Sequence, residues 1–481
     1  MRPVLTPEEM GAADRRTIAS GTPEPVLMER AGRAVARRVV RVAGGVYGRH
    51  VVVVCGKGNN GGDGVVVTRV LRARGIRVEP FFLADGVDRH ACERALRRAH
   101  VVVDAMYGTG FRGALEGDAA WVADATAGCD AGVVAVDIPS GVNGLTGAVD
   151  GPSVHAQHTV CFAALKPGLL FPPGREAAGD IDVVDIGVDP GRPAAGVTES
   201  SDVRAWLPSR APDTHKWAVG GVYVVGGSGG MTGAPSFVSH AALRAGAGIV
   251  WCGLPGDDTA ARASGTEVIT RPLPATADGA LDTGAADTVL ATLDRFRALV
   301  VGPGLGTADP TRDAVCTLVA RADVPLLLDA DGLNALRGDL GPLQQRRAPT
   351  VLTPHEGEYA RLAGEPVGPD RIAAARSLAA RARCVVLLKG SATVVAAPDG
   401  QVAVNMTGGP WLATAGTGDV LSGIVGAFLG RGVPAFEAAA AGAFVHGRAA
   451  DVAGHTGLLA GDLVDALRDV PELREGPGLE D

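Results

Sequence analysis

Aromatic side chains are scarce in this 481-residue chain: Phe, Trp and Tyr together make up 4% of it. Cores built from so few rings must rest on Val, Leu and Ala. Paired cysteine motifs are missing as well. Seven cysteines are scattered with no C-x-x-C spacing, which reads as reduced, packed thiols in a cytoplasmic protein. No run approaches ~18 uninterrupted apolar residues, so no membrane span is expected. The opening M-R-P-V-L-T-P-E-E-M has no apolar core of a secretory signal. Positive charge is not in excess either. The net charge of −8 argues against nucleic acid as a partner, and the Arg-rich segments 72–77 and 94–98 read as solvated helix faces. No internal repeat or low-complexity block is visible.

What is present is apolar content of 46% and 69 glycines. At ~150 residues per domain the length suggests two or three domains. The glycines are spread out, as loops where backbone approaches a ligand would require.

The stretch Thr414 to Gly423, T-A-G-T-G-D-V-L-S-G, stands out. Small residues lead to Asp419, and an apolar, helix-like run follows. A glycine turn feeding a helix start leaves backbone N–H groups free at the positive end of the dipole, which makes an anion site. Asp419 at its lip would accept a hydroxyl proton during phosphoryl transfer. The plainer reading is an N-capping Asp.

The first half alternates strand and helix. Helices are expected over 8–18 and 25–42, the second with Leu27, Met28, Ala31, Val35 and Val39 on one face. The run Val51 to Cys55 reads as a strand buried on both sides. Then comes G-K-G-N-N-G-G-D-G as a loop, and a helix over 65–74. Gly56, Gly58 and Gly61 fit the dinucleotide fingerprint G-x-G-x-x-G, with Glu79 as a candidate ribose acid. Asn59, Asn60 and Asp63 exceed what that fingerprint needs and point to ion or ligand coordination. Further strands lead into D-A-M-Y-G-T-G (104–110) and D-I-P-S-G-V (137–142). Such alternation gives a mostly parallel sheet, with ligands at the carboxyl ends of its strands. Residues 187–212, with Pro190, Pro193, Pro208 and Pro212, read as the boundary, giving domains 1–200 and 201–481. The second half restarts the alternation, with G-P-G-L-G (302–306), D-A-D-G-L-N-A-L (329–336), T-P-H-E-G-E-Y (353–359) and L-K-G-S-A-T (388–393) at strand ends.

K-G-N-N-G-G-D-G, D-A-M-Y-G-T-G, V-A-V-D-I-P-S-G-V and L-K-P-G, in this order, resemble the NAD(P)H-hydrate epimerase family over about residues 4–190. The resemblance implies a Rossmann-like doubly wound sheet and a potassium ion held by Asn60, Asp104 and Ser140. It implies hydrated nucleotide held by Asn59, Asn60, Gly61, Gly62 and Asp63, and by Gly108, Thr109, Gly110, Phe111, Arg112, Gly113 and Ala114. Asp137 would be the base. Asn143 departs from the pattern, where Asp is expected.

From His215, H-K-W-x-x-G-G-V-Y-V-V-G-G-S-x-G-M-T-G-A, then G-P-G-L-G, D-A-D-G-L-N-A-L, L-T-P-H-E-G-E, L-K-G and A-G-T-G-D-V-L-S-G resemble the NAD(P)H-hydrate dehydratase family, on a ribokinase-like α/β/α fold. The resemblance implies nucleotide contacts from Lys389, Gly390, Ser391, Ala392, Thr393 and Gly418, with a phosphoryl cradle over Gly416, Thr417 and Gly418. The hydrated nicotinamide would meet Ala234, Gly304, His355 and Asp419. It also implies magnesium, and ADP rather than ATP as donor in this bacterial-looking, epimerase-first fusion. The expected partners are small molecules, hydrated NADH and NADPH with ADP, and the chain is expected to form a homo-oligomer. Two other readings stand beside this one. A ribokinase-like small-molecule kinase would leave a stable phosphate ester, and a dehydrogenase would use the 56–61 fingerprint.

Overall fold

A computed structural model of the chain describes residues 1–211, 213–256 and 267–474. Pro212 of the expected linker lies outside the described residues. The chain divides into two compact units, Arg2–Ala195 and Gly196–Asp481, with Met1 grouped in the latter. None of the seven cysteines is in a disulfide. No helix among the described residues is long and apolar enough to cross a membrane.

The first unit is built on a six-stranded sheet in the order Arg77–Phe82, His50–Cys55, Val101–Ala105, Gly132–Val136, His158–Phe162, Asp180–Val184. All its pairings are parallel. The apolar runs are continuous because both faces are covered. Val51, Val53, Val101, Val103, Val134 and Val136 pack with Val35 and Val39 of the helix Glu24–Val42 and with Val67 and Leu71 of the helix Asn59–Ala73. Their neighbours Val52, Val54, Val102, Val133 and Ala135 point the other way, onto Cys92, Leu96, Ala119 and Val122 of the helices Arg89–Leu96 and Gly117–Ala127.

The helix expected over 65–74 begins at Asn59, so Asn59 to Gly64 form its first turns rather than a loop. Glycine makes that early start possible. A Cβ on Gly61 would come within 2.0 Å of the Gly56 carbonyl oxygen, and one on Gly62 within 2.7 Å of the Met28 sulfur. Close approach of backbone, which glycine alone permits, here outweighs its poor helix propensity. Glu79 lies in the middle of its strand, not at the end, and faces Arg77 and His50 at 2.7 and 3.1 Å. It is therefore not placed as a ribose acid, which leaves the dehydrogenase reading only its glycine fingerprint.

Within the second unit the sheet runs Val402–Asn405, Thr393–Ala396, Val385–Leu388, Thr350–Leu352, Leu326–Leu328, Ala298–Val301, Gly221–Val225, Ile249–Pro255, Ile269–Leu273. It is parallel from Val385–Leu388 onward, while the first three strands form antiparallel pairs. Sequence alternation alone did not foresee that hairpin, or the edge strand Ile269–Leu273. The edge strand carries Arg271 and Pro272, tolerable only where one side of the ladder is unpaired. One face of the sheet packs on the helices Gly233–Arg244, Thr417–Gly430 and Ala435–Ala453. Side chains of the other face, including Tyr223, Leu299, Val301, Leu326 and Leu328, are also buried.

Candidate functional sites

In the first unit the carboxyl ends of the strands open into a cavity of about 740 Å³. Its wall includes Asn59, Asn60, Asp63, Gly108, Thr109, Gly110, Phe111 and Asp137, all singled out from sequence, together with Asp14 and Lys166, which were not. Gly61 and Gly62 are outside the lining, Gly61 against the Gly56 carbonyl and Gly62 against Met28. Arg112, Gly113 and Ala114 are exposed and outside the lining.

Behind the cavity lies a polar knot. The Ser140 hydroxyl donates to Asp104 Oδ1 at 2.6 Å and its backbone N–H donates to Oδ2 at 2.8 Å. Met106 N–H donates to Oδ1 at 3.2 Å, and Tyr107 N–H to the Ser140 hydroxyl oxygen at 3.0 Å. Asp104 is buried, with no cationic partner among the described residues. Burial raises its carboxyl above the ordinary value against those hydrogen bonds. Asn60 is buried beside Gly108, and its Nδ2 has no hydrogen-bond partner. Amide, carboxylate and hydroxyl oxygens around an uncompensated carboxylate form a donor set that suits a hard monovalent cation.

Asp137 holds a left-handed backbone, φ 65°, at the end of Gly132–Val136. Few non-glycine residues accept that strain, and it collects at functional sites. Its Oδ1 accepts from Lys166 Nζ at 2.5 Å and from Phe162 N–H at 3.4 Å. Burial alone would lower the Lys166 ammonium, but Asp137 outweighs it and holds the lysine above its ordinary value. Asp63, in contrast, is pushed up to about 8 by burial, then by the charges of Asp137 and Asp14. Asn143 accepts from Leu145 and Thr146 N–H at 3.0 and 3.2 Å. It builds its turn as an Asp would.

In the second unit the helix Thr417–Gly430 starts after Gly416 at φ 89°. A Cβ on Gly418 would meet only Lys389 Nζ, at 3.8 Å. This is a helix N-terminus kept clear of side chains with an ammonium beside it, the elements of a phosphate cradle. Lys389 Nζ bonds Asp329 Oδ1 at 2.9 Å and lies 3.8 Å from Glu358 Oε2. Asp329 also accepts from the Ser422 hydroxyl at 2.7 Å. Burial would raise Asp329, but Lys389 and these hydrogen bonds hold it below the usual carboxylate range. Asp419 is pushed up to about 7, first by burial and then by the Asp329 charge, with Lys389 opposing.

Of the other expected residues, His355 joins this network through Glu358. Glu358 accepts from His355 N–H at 2.8 Å, and His355 Nδ1 accepts from Gly357 N–H at 3.0 Å. The neutral ring thus carries its proton on Nε2, on the half-exposed side. A Cβ on Gly302 would strike the Asp329 carbonyl oxygen, and one on Gly304 would reach Ala234 Cβ at 3.5 Å. Gly390, Ser391 and Ala392 turn between the strands Val385–Leu388 and Thr393–Ala396. Ala392 is buried and can offer a ligand only its backbone.

Sequence reasoning missed Asp329, Glu358 and Ser422 as members of this site, although all three lie inside quoted motifs. His446 was missed with no signal to find it. It sits buried in the helix Ala435–Ala453 with Nε2 unpartnered. Burial lowers its ring to about 4, against a hydrogen bond with the Thr417 backbone. The unfolded chain takes a proton near pH 6.5 that the folded chain refuses until about 4. Stability is therefore full above pH 6.5 and is lost as pH falls towards 4, by at most about 3 kcal/mol. Thermal melts of the second unit between those limits should show this drop, and His446→Gln should flatten it.

The family model described as NAD(P)H-hydrate dehydratase matches residues 222–470, and the one described as YjeF-related protein N-terminus matches 24–100 and 86–168. The bifunctional NAD(P)H-hydrate repair enzyme of Moorella thermoacetica is 41% identical over 96% of this chain and 96% of its own. The one of Salinibacter ruber is 41% identical over 99% and 97%. A solved ADP/ATP-dependent NAD(P)H-hydrate dehydratase from Bacillus subtilis, co-crystallised with ATP and magnesium, is 30% identical. It aligns with a TM-score of 0.50 over 57% of this chain and 96% of its own. A polar knot and strained acid in one unit, and a side-chain-free helix start with its acid and lysine in the other, are thus carried by a chain that belongs to the bifunctional NAD(P)H-hydrate repair enzyme family.

Proposed function

We propose that the chain repairs hydrated NADH and NADPH in two steps. Water added to a reduced nicotinamide ring leaves a hydroxyl on a ring carbon in two epimeric forms. The first unit interconverts them, and the second dehydrates the S form using ADP, releasing AMP and phosphate. The observation that carries this reading is Asp419, a half-buried base at the lip of a side-chain-free phosphate cradle with Lys389 alongside.

In the second unit Asp419 accepts the proton of the ring hydroxyl as that oxygen takes the terminal phosphoryl of ADP. Phosphate then leaves with the C–O bonding pair, and loss of the neighbouring ring proton restores the double bond. Lys389 and the backbone N–H groups of Gly416 to Gly418 hold the phosphates, with Asp329 fixing the lysine. Magnesium, when bound, would neutralise phosphate charge. Gly304, Ala234 and His355 face the nicotinamide end.

In the first unit Asp137 is the base, with Asn59, Asp63 and Gly108 to Phe111 around the hydrated ring. Asn60, Asp104 and Ser140 would hold a potassium ion. Such an ion would supply positive charge against the buried Asp104 carboxylate.

The test is purified protein given mixed-epimer NADPH hydrate, magnesium, potassium, and ADP or ATP, with return of reduced-nicotinamide absorbance followed. Complete recovery with ADP is expected, with phosphate released in equal amount. Recovery that stops once the S form is used up would remove the epimerase assignment. A stable phosphate ester in place of free phosphate would make the second unit a kinase.

A further inference from the structure

Lys166 is fully buried in the wall of the first unit's cavity. Its three ammonium protons are all committed: to Asp137 Oδ1 at 2.5 Å, to the Phe162 carbonyl at 3.0 Å and to Cys161 Sγ at 3.4 Å. While those bonds hold, it has no proton left for a ligand, so its effect on chemistry passes through Asp137. There, both recorded donors, Lys166 and Phe162 N–H, fall on Oδ1. Oδ2 has no donor among the described residues and is the oxygen left for a substrate.

Asp14 on the helix Pro7–Ala19, Glu24 at the start of Glu24–Val42 and Asp63 on Asn59–Ala73 line the same cavity as Asp137. The other charged or titratable neighbours are Lys57, Tyr107, Glu116 and Asp118 in the wall, Arg15 beside Asp14, and the Cys161 thiol against Lys166. Among Asp14, Asp63 and Asp137, only Asp137 has an ion-pair partner among the described residues. Several carboxylates close together in a partly dry cavity cannot all stay ionised. Asp14 and Asp63 are both raised by burial first; for Asp14 the Lys166 charge opposes this without overcoming it, and the Asp137 charge adds to the rise of both.

We propose that Lys166 is a positioning residue that selects Asp137, rather than Asp14 or Asp63, as the base of the epimerase site, and leaves Oδ2 as the atom that accepts the proton. The inference rests on the epimerase reading given above. It holds whether epimers exchange by ring opening, where Oδ2 takes the proton of the ring hydroxyl, or by transient water loss, where Oδ2 takes a proton from the returning water.

The experiment compares wild type, Lys166→Met and Lys166→Arg in R-to-S exchange without nucleotide, across pH, with thermal melts on the same preparations. Lys166→Met is expected to lower kcat for exchange by ~100-fold or more with KM within about threefold. It should also move the acid limb of the pH profile up by about one unit or more, as loss of an opposite charge does to a carboxylate. Lys166→Arg, which keeps the charge, should recover at least about a tenth of the wild-type rate and keep the acid limb in place. Wild-type kcat and pH profile in folded Lys166→Met would overturn the proposal. If Lys166→Met does not fold, Lys166→Arg decides: retained exchange with an unmoved acid limb supports the proposal, and a folded but inactive Arg variant sinks it. Wild-type protein that exchanges no epimers would overturn the epimerase reading itself, and this inference with it.

Discussion

Asp419→Asn is expected to lower ADP-driven dehydration of the S hydrate by ~1,000-fold or more, while epimer exchange continues at the wild-type rate. The amide is isosteric but cannot take a proton, and the neighbours that would hold phosphate are untouched. Folding should survive, because Asn removes a half-buried acid that sits near the Asp329 charge. A pH signature accompanies the loss. With Asp419 near 7, the working ionised form is populated only above that pH, so kcat/KM for dehydration in wild type should rise through about pH 7 and level off. Steady-state assays on pure S epimer, run beside an exchange assay without nucleotide, read both halves of this prediction.

Asp137→Asn is expected to do the reverse: exchange falls by ~1,000-fold or more and S-hydrate dehydration persists. Here stability must be watched. Asn leaves the buried Lys166 ammonium without its counter-charge, and removing one partner of a buried pair costs about 3–5 kcal/mol. The first unit should therefore melt earlier in Asp137→Asn. The double change Asp137→Asn with Lys166→Met should regain much of that stability and none of the exchange activity. A loss of both reactions in a folded Asp137→Asn or Asp419→Asn protein would show that the two units do not divide the work in this way.

Much of this architecture was legible in the residues. Val51 to Cys55 and Val222 to Val225 are apolar without a break, and only a strand covered on both faces uses such a run. The G-T-G-D stretch announced a glycine turn, a helix start and an acid at its lip, and the structure has all three. Less legible was anything that depends on what faces what. The helix start at Asn59 was misplaced because glycine reads locally as a breaker, whereas here the lack of a Cβ is what lets the helix seat on Gly56 and Met28. The strands Thr393–Ala396, Val402–Asn405 and Ile269–Leu273 escaped because short or edge strands carry little pattern of their own.

Sequence by itself determined two α/β units, their order, and the acids and glycines at their strand ends, because local propensity, apolar runs and motif order are written along the chain. Tertiary structure alone decided which charges meet. Lys166 comes from the loop after the strand His158–Phe162, 29 residues beyond Asp137, and Lys389 reaches 60 residues back to Asp329. His446 is buried against the turn at Thr417. Coulomb energy and desolvation depend on distance in space and on depth from water. Neither is a function of spacing along the chain, so the state of each acid became readable only in the folded molecule.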